Sequence, residues 1–206
     1  MNTVIVTGTD TGVGKTVFSA GLTAALGTRY WKPVQSGLED ATDTETVVAL
    51  SGAEALPEAY RLNMPASPHL SAEDMGIEIE LSQLTLPQVE GSLVVEGAGG
   101  IMVPLNRRHF YLDLFAHWQK PVVLVARTAL GTINHTTLSL MALRDAGCPV
   151  IGVAFVGDPE PDVEQTIVQM CDVRHLGRLP HLDPLSRETL TKAFDAIDVD
   201  HIRSFL

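Results

Sequence analysis

The sequence predicts an α/β fold: a mainly parallel central sheet with helices on both faces. Three observations carry this. The apolar runs are short and rich in Val and Ile. They lack the apolar–polar alternation of a half-exposed strand, which suits strands buried on both faces. Helix-length segments separate them, and strands alternating with helices imply parallel pairing through crossovers. The 206 residues are enough for one sizeable core, and residues 1–206 read as a single domain.

Taken in order, residues 3–7 (TVIVT) form the first strand, and a helix follows over 15–26, with Gly27 where a C-terminal cap belongs. A second strand leads towards Trp31 and Lys32, and a helix is expected over 44–50. Residues 53–71 carry three prolines, Pro57, Pro65 and Pro68. They read as a long ordered loop, a kind of segment that is usually functional or mobile. Strands are expected over 93–96, 121–126 and 150–155, and helices over 111–118, 134–146 and 162–170. Gly147 supplies a second C-terminal cap.

Acidic side chains outnumber basic ones 25 to 14, for a formal charge of -11. That argues against nucleic-acid binding, which needs clustered Lys and Arg. Apolar residues at 45% and charged residues at 19% are ordinary for a globular protein. Two cysteines, Cys148 and Cys171, indicate no disulfide framework and fit a reducing compartment. Both read as small core residues. With no basic leader and no apolar stretch of about 18 residues, the chain reads as cytoplasmic, without a membrane partner.

The stretch GTDTGVGKT, residues 8–16, follows the first strand and opens the first helix. It is a variant of the phosphate-binding pattern G-x-x-x-x-G-K-[ST], with Thr9 at the leading glycine position and Gly8 one residue earlier. Its physics is intact. Gly12 and Gly14 permit positive φ and close backbone approach, so successive N–H groups can point at phosphate oxygens. The helix N-terminus favours an anion. Lys15 can reach β- and γ-phosphates, and the Thr16 hydroxyl can ligate Mg²⁺. A P-loop NTPase-like fold follows.

Other stretches bear on the same site. VVEGAGG, residues 94–100, puts Glu96 at the end of a buried strand, where ligands of open α/β sheets bind and where it can serve as a metal ligand. Residues 40–45 (DATDTE) carry several acids before a helix, any of which can be an N-cap or a ligand. Lys32, beside Trp31 and Pro33, reads either as an inward lysine that stabilises charge developing at a phosphoryl group or as a snorkelling edge residue.

Together these motifs resemble those of the dethiobiotin synthetases, ATP-dependent cyclo-ligases of biotin biosynthesis. The matching stretches, in family order, are VTGTDTGVGKT (6–16), KPVQSG (32–37), SPH (67–69), VEGAGG (95–100), LGTINH (130–135) and LGRLP (176–180). The resemblance implies that 7,8-diaminopelargonic acid, CO₂ and MgATP are converted to dethiobiotin, ADP and phosphate. It implies nucleotide binding by Gly12, Val13, Gly14, Lys15, Thr16 and Val17, and Mg²⁺ binding by Thr16, Asp43 and Glu96, with Asp40 a weaker match than Asp43. Lys15 and Lys32 take the catalytic positions. Ser36 and Asn134 contact the diamine substrate, Asn134 across the interface of a homodimer; Gly97, Ala98 and Gly99 line substrate or phosphate. Pro180, His181 and Leu182 lie near the base. Two departures accompany the likeness. Gly12 replaces an acid found in many members, and Val156-Gly157 replaces an Asn, which removes an amide from base recognition.

A different class shares the loop: partitioning or regulatory P-loop ATPases, which act as nucleotide-switched interaction proteins. They carry a signature lysine five residues before the loop lysine. Here that position is Asp10.

Overall fold

The computed structural model describes residues 2–206. Strand β1 (Asn2–Gly8) leads through the glycine loop into α1 (Lys15–Leu26). Then come β2 (Arg29–Trp31), β3 (Val34–Ser36), α2 (Asp43–Ser51), β4 (Ala55–Leu56), β5 (Tyr60–Leu62) and α3 (Pro68–Asp74). The second half continues with β6 (Ser92–Gly100), α4 (Tyr111–Trp118), β7 (Val122–Arg127), α5 (Thr132–Asp145), β8 (Val150–Val156), α6 (Pro161–Cys171) and β9 (His175–Leu179). Helices α7 (Arg187–Ala193) and α8 (Val199–Arg203) follow.

The expected parallel sheet is present. Seven strands lie in the order β4-β2-β6-β1-β7-β8-β9, each neighbouring pair parallel. Strands β3 and β5 form a separate small parallel pair. In the large sheet β1 is flanked by β6 and β7, and the chain winds away from it in both directions. The loop after β1 therefore opens at the topological switch point, the usual ligand crevice of such sheets.

Strand residues alternate between two cores. Ile5, Leu93, Val95, Leu124 and Phe155 pack with Phe115 of α4, Leu143 of α5 and Ile167 of α6. Val4, Val6, Tyr30, Val94 and Val125 pack on the opposite face with Phe18 of α1, Val47 of α2 and Leu190 of α7. This two-sided burial explains why the strands read as continuous apolar runs.

The structure corrects three local expectations. The supposed long loop over 53–71 holds β4, β5 and the start of α3; its strands are only two and three residues long, too short for a periodic signal. Lys32 lies one residue beyond β2. Strand β6 does not end at Glu96 but runs to Gly100 through a register shift opposite β1. Among the described residues no helix is long and apolar enough to cross a membrane.

Helix α1 is seated by Gly21, where an added Cβ would run into the Phe194 ring, itself packed 5.3 Å from Phe18. Overpacking of this kind costs about 1–3 kcal/mol. Gly21→Ala is accordingly expected to lower the unfolding free energy by about 1–3 kcal/mol, read as a lower urea midpoint with an unchanged m-value.

Candidate active site

The loop has the conformation that its glycines suggest. Gly12 and Gly14 have φ of 72° and 91°, and Gly14 is the N-cap of α1. Lys15 folds back over the loop, its Nζ donating to the Asp10 carbonyl at 3.1 Å. Burial pushes its pKa down to about 8, against the opposing pull of Glu96.

Beyond Lys15 four segments converge. The Thr16 hydroxyl lies 2.8 Å from Asp43 Oδ1 and 2.9 Å from Glu96 Oε1. Lys32 Nζ reaches Asp43 Oδ2 at 2.7 Å, Glu96 Oε1 at 3.3 Å and the Gly97 carbonyl at 2.9 Å. These contacts use its three donors. Burial alone would lower the Lys32 pKa, but Glu96 and Asp43 outweigh it and hold the ammonium above its ordinary value. Burial would raise the Asp43 carboxyl, yet Lys32 and the Thr16 hydroxyl hold it below its ordinary value.

Each group is placed by its backbone. Asp43 is the first residue of α2, whose N-cap Thr42 forms a capping box with Glu45. The Asp43 N–H donates to Gln35 Oε1 at 3.2 Å, so a side chain of the KPVQSG stretch fixes the start of that helix. Asp40 is exposed and lies outside this cluster. Glu96 is fully buried on β6, and its Oε2 accepts from the Tyr30 hydroxyl at 3.0 Å. Gly97 turns towards the core instead of lining the cleft, since a Cβ there would meet the Phe115 ring at 2.8 Å.

Two cavities flank the loop. One, of about 730 Å³, gathers Lys15, Thr16, Lys32, Ser36, Asp43 and Glu96, with Ala98 and Gly99 at its wall. The Ser36 hydroxyl, buried and without a protein partner, belongs to this side. The other, of about 490 Å³, is lined by Gly12, Val13, Gly14 and Val17 from the loop region and by Val156, Pro180, His181 and Leu182. Asn134 joins neither cavity. It stands exposed on the first turn of α5, whose N-cap is Gly131.

The polar cluster suits a hard divalent cation. The Thr16 hydroxyl has one proton and two carboxylates within reach, so it cannot satisfy both by donation. Its oxygen and those of Asp43 and Glu96 make an all-oxygen donor set. Among the described residues no group of three or more His, Cys, Asp or Glu side chains gathers to hold a metal. Two carboxylates nonetheless fit Mg²⁺, which relies on one or two such groups, waters and substrate phosphates.

Gln35 and Tyr30 are contacts that the sequence reading missed. Tyr30 lies two residues before Lys32, and the period of two along a strand is the signal that could have found it. For Gln35 the sequence offers none, because its partner is set by where α2 begins.

The central loop and its lysine-lined cleft define a P-loop nucleotide-binding protein. A family model described as an AAA domain matches residues 2–189. Solved structures share the fold: a cell-division ATPase MinD from Pyrococcus furiosus is 14% identical with a TM-score of 0.57, covering 100% of both chains. A ParA family ATPase from Chlorobium tepidum is 11% identical with a TM-score of 0.56, covering 98% of this chain and 96% of its own. Relatives in sequence are much nearer. A protein of Brucella anthropi named ATP-dependent dethiobiotin synthetase is 58% identical, covering 93% of this chain and 92% of its own length. One so named from Sphingopyxis alaskensis is 55% identical over 95% of this chain and 96% of its own. The chain belongs to the ATP-dependent dethiobiotin synthetase family.

The family resemblance assigns the base to the side of Pro180, His181 and Leu182, which line the smaller cavity. Val156 packs on Gly14 and offers no hydrogen bond. The Gly157 N–H donates to the Leu179 carbonyl at 3.0 Å, and the Gly157 carbonyl accepts from Arg178 at 3.0 Å. Pro180 lacks an N–H, and His181 is exposed. A missing bidentate pair removes about 1–3 kcal/mol of discrimination between bases. Calorimetry with ADP, GDP and CDP at equal Mg²⁺ should give affinities within about tenfold. A preference for ADP above about a hundredfold, or about 2.8 kcal/mol, would show that other groups read the base.

Proposed function

We propose that this chain closes the ureido ring of dethiobiotin from 7,8-diaminopelargonic acid, CO₂ and MgATP. The observation that carries this reading is the place of Lys32. Its ammonium is buried beside Asp43 and Glu96, in one cavity with Lys15 and with the unpartnered Ser36 hydroxyl. The sequence likeness to named synthetases supports it.

One substrate amine captures CO₂ and loses a proton, giving a carbamate. A carbamate oxygen attacks the γ-phosphorus in line while the bond to the β-bridging oxygen breaks and ADP leaves. The second amine attacks the carbonyl carbon of the resulting carbamic–phosphoric anhydride, phosphate departs, and loss of a proton completes the ring. The protein does little covalent work here; positioning and charge neutralisation carry the reaction. Lys15 holds the phosphates, Lys32 exchanges part of its present carboxylate contacts to bridge carbamate and γ-phosphate, and Ser36 contacts the substrate. The loop from Gly12 to Val17 cradles the nucleotide, with Pro180 to Leu182 beside the base. Thr16, Asp43 and Glu96 would hold Mg²⁺, which neutralises phosphate charge.

A homodimer completes the site. Asn134 shares a helix face with Leu138 and Met141, at i+4 and i+7, and both are exposed apolar side chains. Leu130, fully exposed just before α5, extends the patch. A second copy covering this face would bring Asn134 to the substrate carboxylate of its partner. The free, buried thiols of Cys148 and Cys171 support a cytoplasmic setting.

The other class, a nucleotide-switched interaction protein, is not favoured. Asp10 stands at its signature lysine position, and its carboxylate accepts from the Thr11 N–H at 2.7 Å.

The direct experiment is mass-spectrometric detection of dethiobiotin from the diamine, bicarbonate and MgATP. ATP hydrolysis without that product would refute the reading. Lys32→Ala is expected to lower kcat by about 10²–10³-fold, the usual loss for one charge-stabilising donor, with a smaller change in nucleotide affinity. Near-normal turnover would move the catalytic role elsewhere. Mixing Lys32→Ala and Asn134→Ala subunits should recover part of the activity, because one hybrid site holds both native residues. No recovery in a verified heterodimer would mean that each site is built from one chain.

A further inference from the structure

We propose that Tyr30 is a positioning residue: its hydroxyl fixes the rotation of the Glu96 carboxylate, tying Oε2 to the sheet and leaving Oε1 to face Thr16, Lys32 and the divalent cation. This rests on the reading of Glu96 as a Mg²⁺ ligand.

Tyr30 and Glu96 are both fully buried. On the sheet Tyr30 pairs with Val94, two residues before Glu96, and Lys32 follows Tyr30 by two. Tyr30 belongs to the same buried cluster as Phe18, Val47 and Val94, and its hydroxyl reaches Glu96 Oε2 at 3.0 Å. The carboxylate is thereby divided. Oε1 takes Thr16 at 2.9 Å and Lys32 at 3.3 Å, while Oε2 has Tyr30 as its one hydrogen-bond partner among the described residues.

This bond is more than satisfaction of a buried hydroxyl. The Tyr111 hydroxyl, also buried, has no partner among the described residues, whereas that of Tyr30 is spent on a carboxylate oxygen. A buried carboxylate oxygen stripped of its donor is far costlier. The terminal torsion of a glutamate is broad and roughly two-fold. Without the phenol, the group can turn Oε2 towards Lys32 or offer both oxygens at once. Mg²⁺ demands near-ideal octahedral geometry, and hydrogen bonds behind a ligating carboxylate typically carry about 10–100-fold in metal affinity.

The test is titration calorimetry of the full chain with ADP, once with Mg²⁺ and once with EDTA. Tyr30→Phe keeps the ring and removes only the hydroxyl. The expected result is ADP binding about tenfold weaker with Mg²⁺, within twofold of the native protein in EDTA, and a half-saturating Mg²⁺ concentration in turnover raised to match, with a smaller loss in kcat at saturating Mg²⁺. Equal losses with and without metal, or no loss, would overturn the proposal in favour of packing alone. Adding Tyr30→Phe to Glu96→Gln should weaken Mg²⁺-dependent binding no further; independent losses that add would also overturn it. If Glu96→Gln itself leaves the Mg²⁺ dependence unchanged, the ligand reading of Glu96 fails and the proposal with it. A response to Glu96→Gln with none to Tyr30→Phe sinks the role of Tyr30 alone. Tyr30→Leu serves as a second variant, and failure of both to fold would also decide for packing.

Discussion

The buried ammonium of Lys32 is the group on which the rest of the site depends. It joins the end of β2 to the N-terminus of α2 through Asp43, and to β6 through Glu96 and the Gly97 carbonyl. Thr16 brings the phosphate loop to the same two carboxylates. Remove the ammonium and two acids face each other, Glu96 fully buried and Asp43 partly so, with a single hydroxyl proton between them. Breaking a buried pair by deleting one partner costs about 3–5 kcal/mol, because the surviving charge is left uncompensated. The cluster is stable as a set and unstable as parts.

The sheet makes this set possible. Its strands are parallel, so the C-terminal ends of β1, β2 and β6 lie on one edge. Residues far apart in the chain, Thr16 and Glu96 among them, come within hydrogen-bond distance there. Burial on both faces keeps β6 from sliding, since a one-residue slip would carry Glu96 to the opposite core. Glycine at position 97 is part of that fit: the strand can pass Phe115 only where no side chain is present.

Much of this was legible in the sequence. The strand–GTDTGVGKT–helix unit announces the phosphate loop, because Gly12, Gly14, Lys15 and Thr16 do local work whose pattern survives in a linear reading. Helices α1 and α4 begin and end where their apolar spacing and caps suggest. Asp43 could be chosen over Asp40 only through the family motif, since both are acids before a helix; the structure separates them by making Asp43 the first helical residue, turned inward. Strands β4 and β5 escaped notice because residues 53–71 look proline-broken. Their strand character comes from tertiary pairing with β2 and β3, not from local pattern. The Tyr30–Glu96 bond escaped for a related reason. It spans 66 positions; the spacing from Lys32 could have flagged Tyr30, but nothing local names Glu96 as its partner.

The two halves of the cleft divide the work unequally. Lysines, carboxylates and a free serine hydroxyl crowd the larger cavity, whereas the wall of the smaller one at Val156 and Gly157 offers an apolar side chain and backbone groups already paired with Leu179 and Arg178. Discrimination needs polar groups that a wrong ligand leaves unpaired; Lys32, Ser36 and the two acids supply them in the larger cavity, and Arg127, Thr128, Asp158 and Glu160 line the smaller one. That division is consistent with phosphoryl transfer to a substrate oxygen. The transferred group must be protected from water and met by the right nucleophile, and the larger cavity is where the lysines and carboxylates gather.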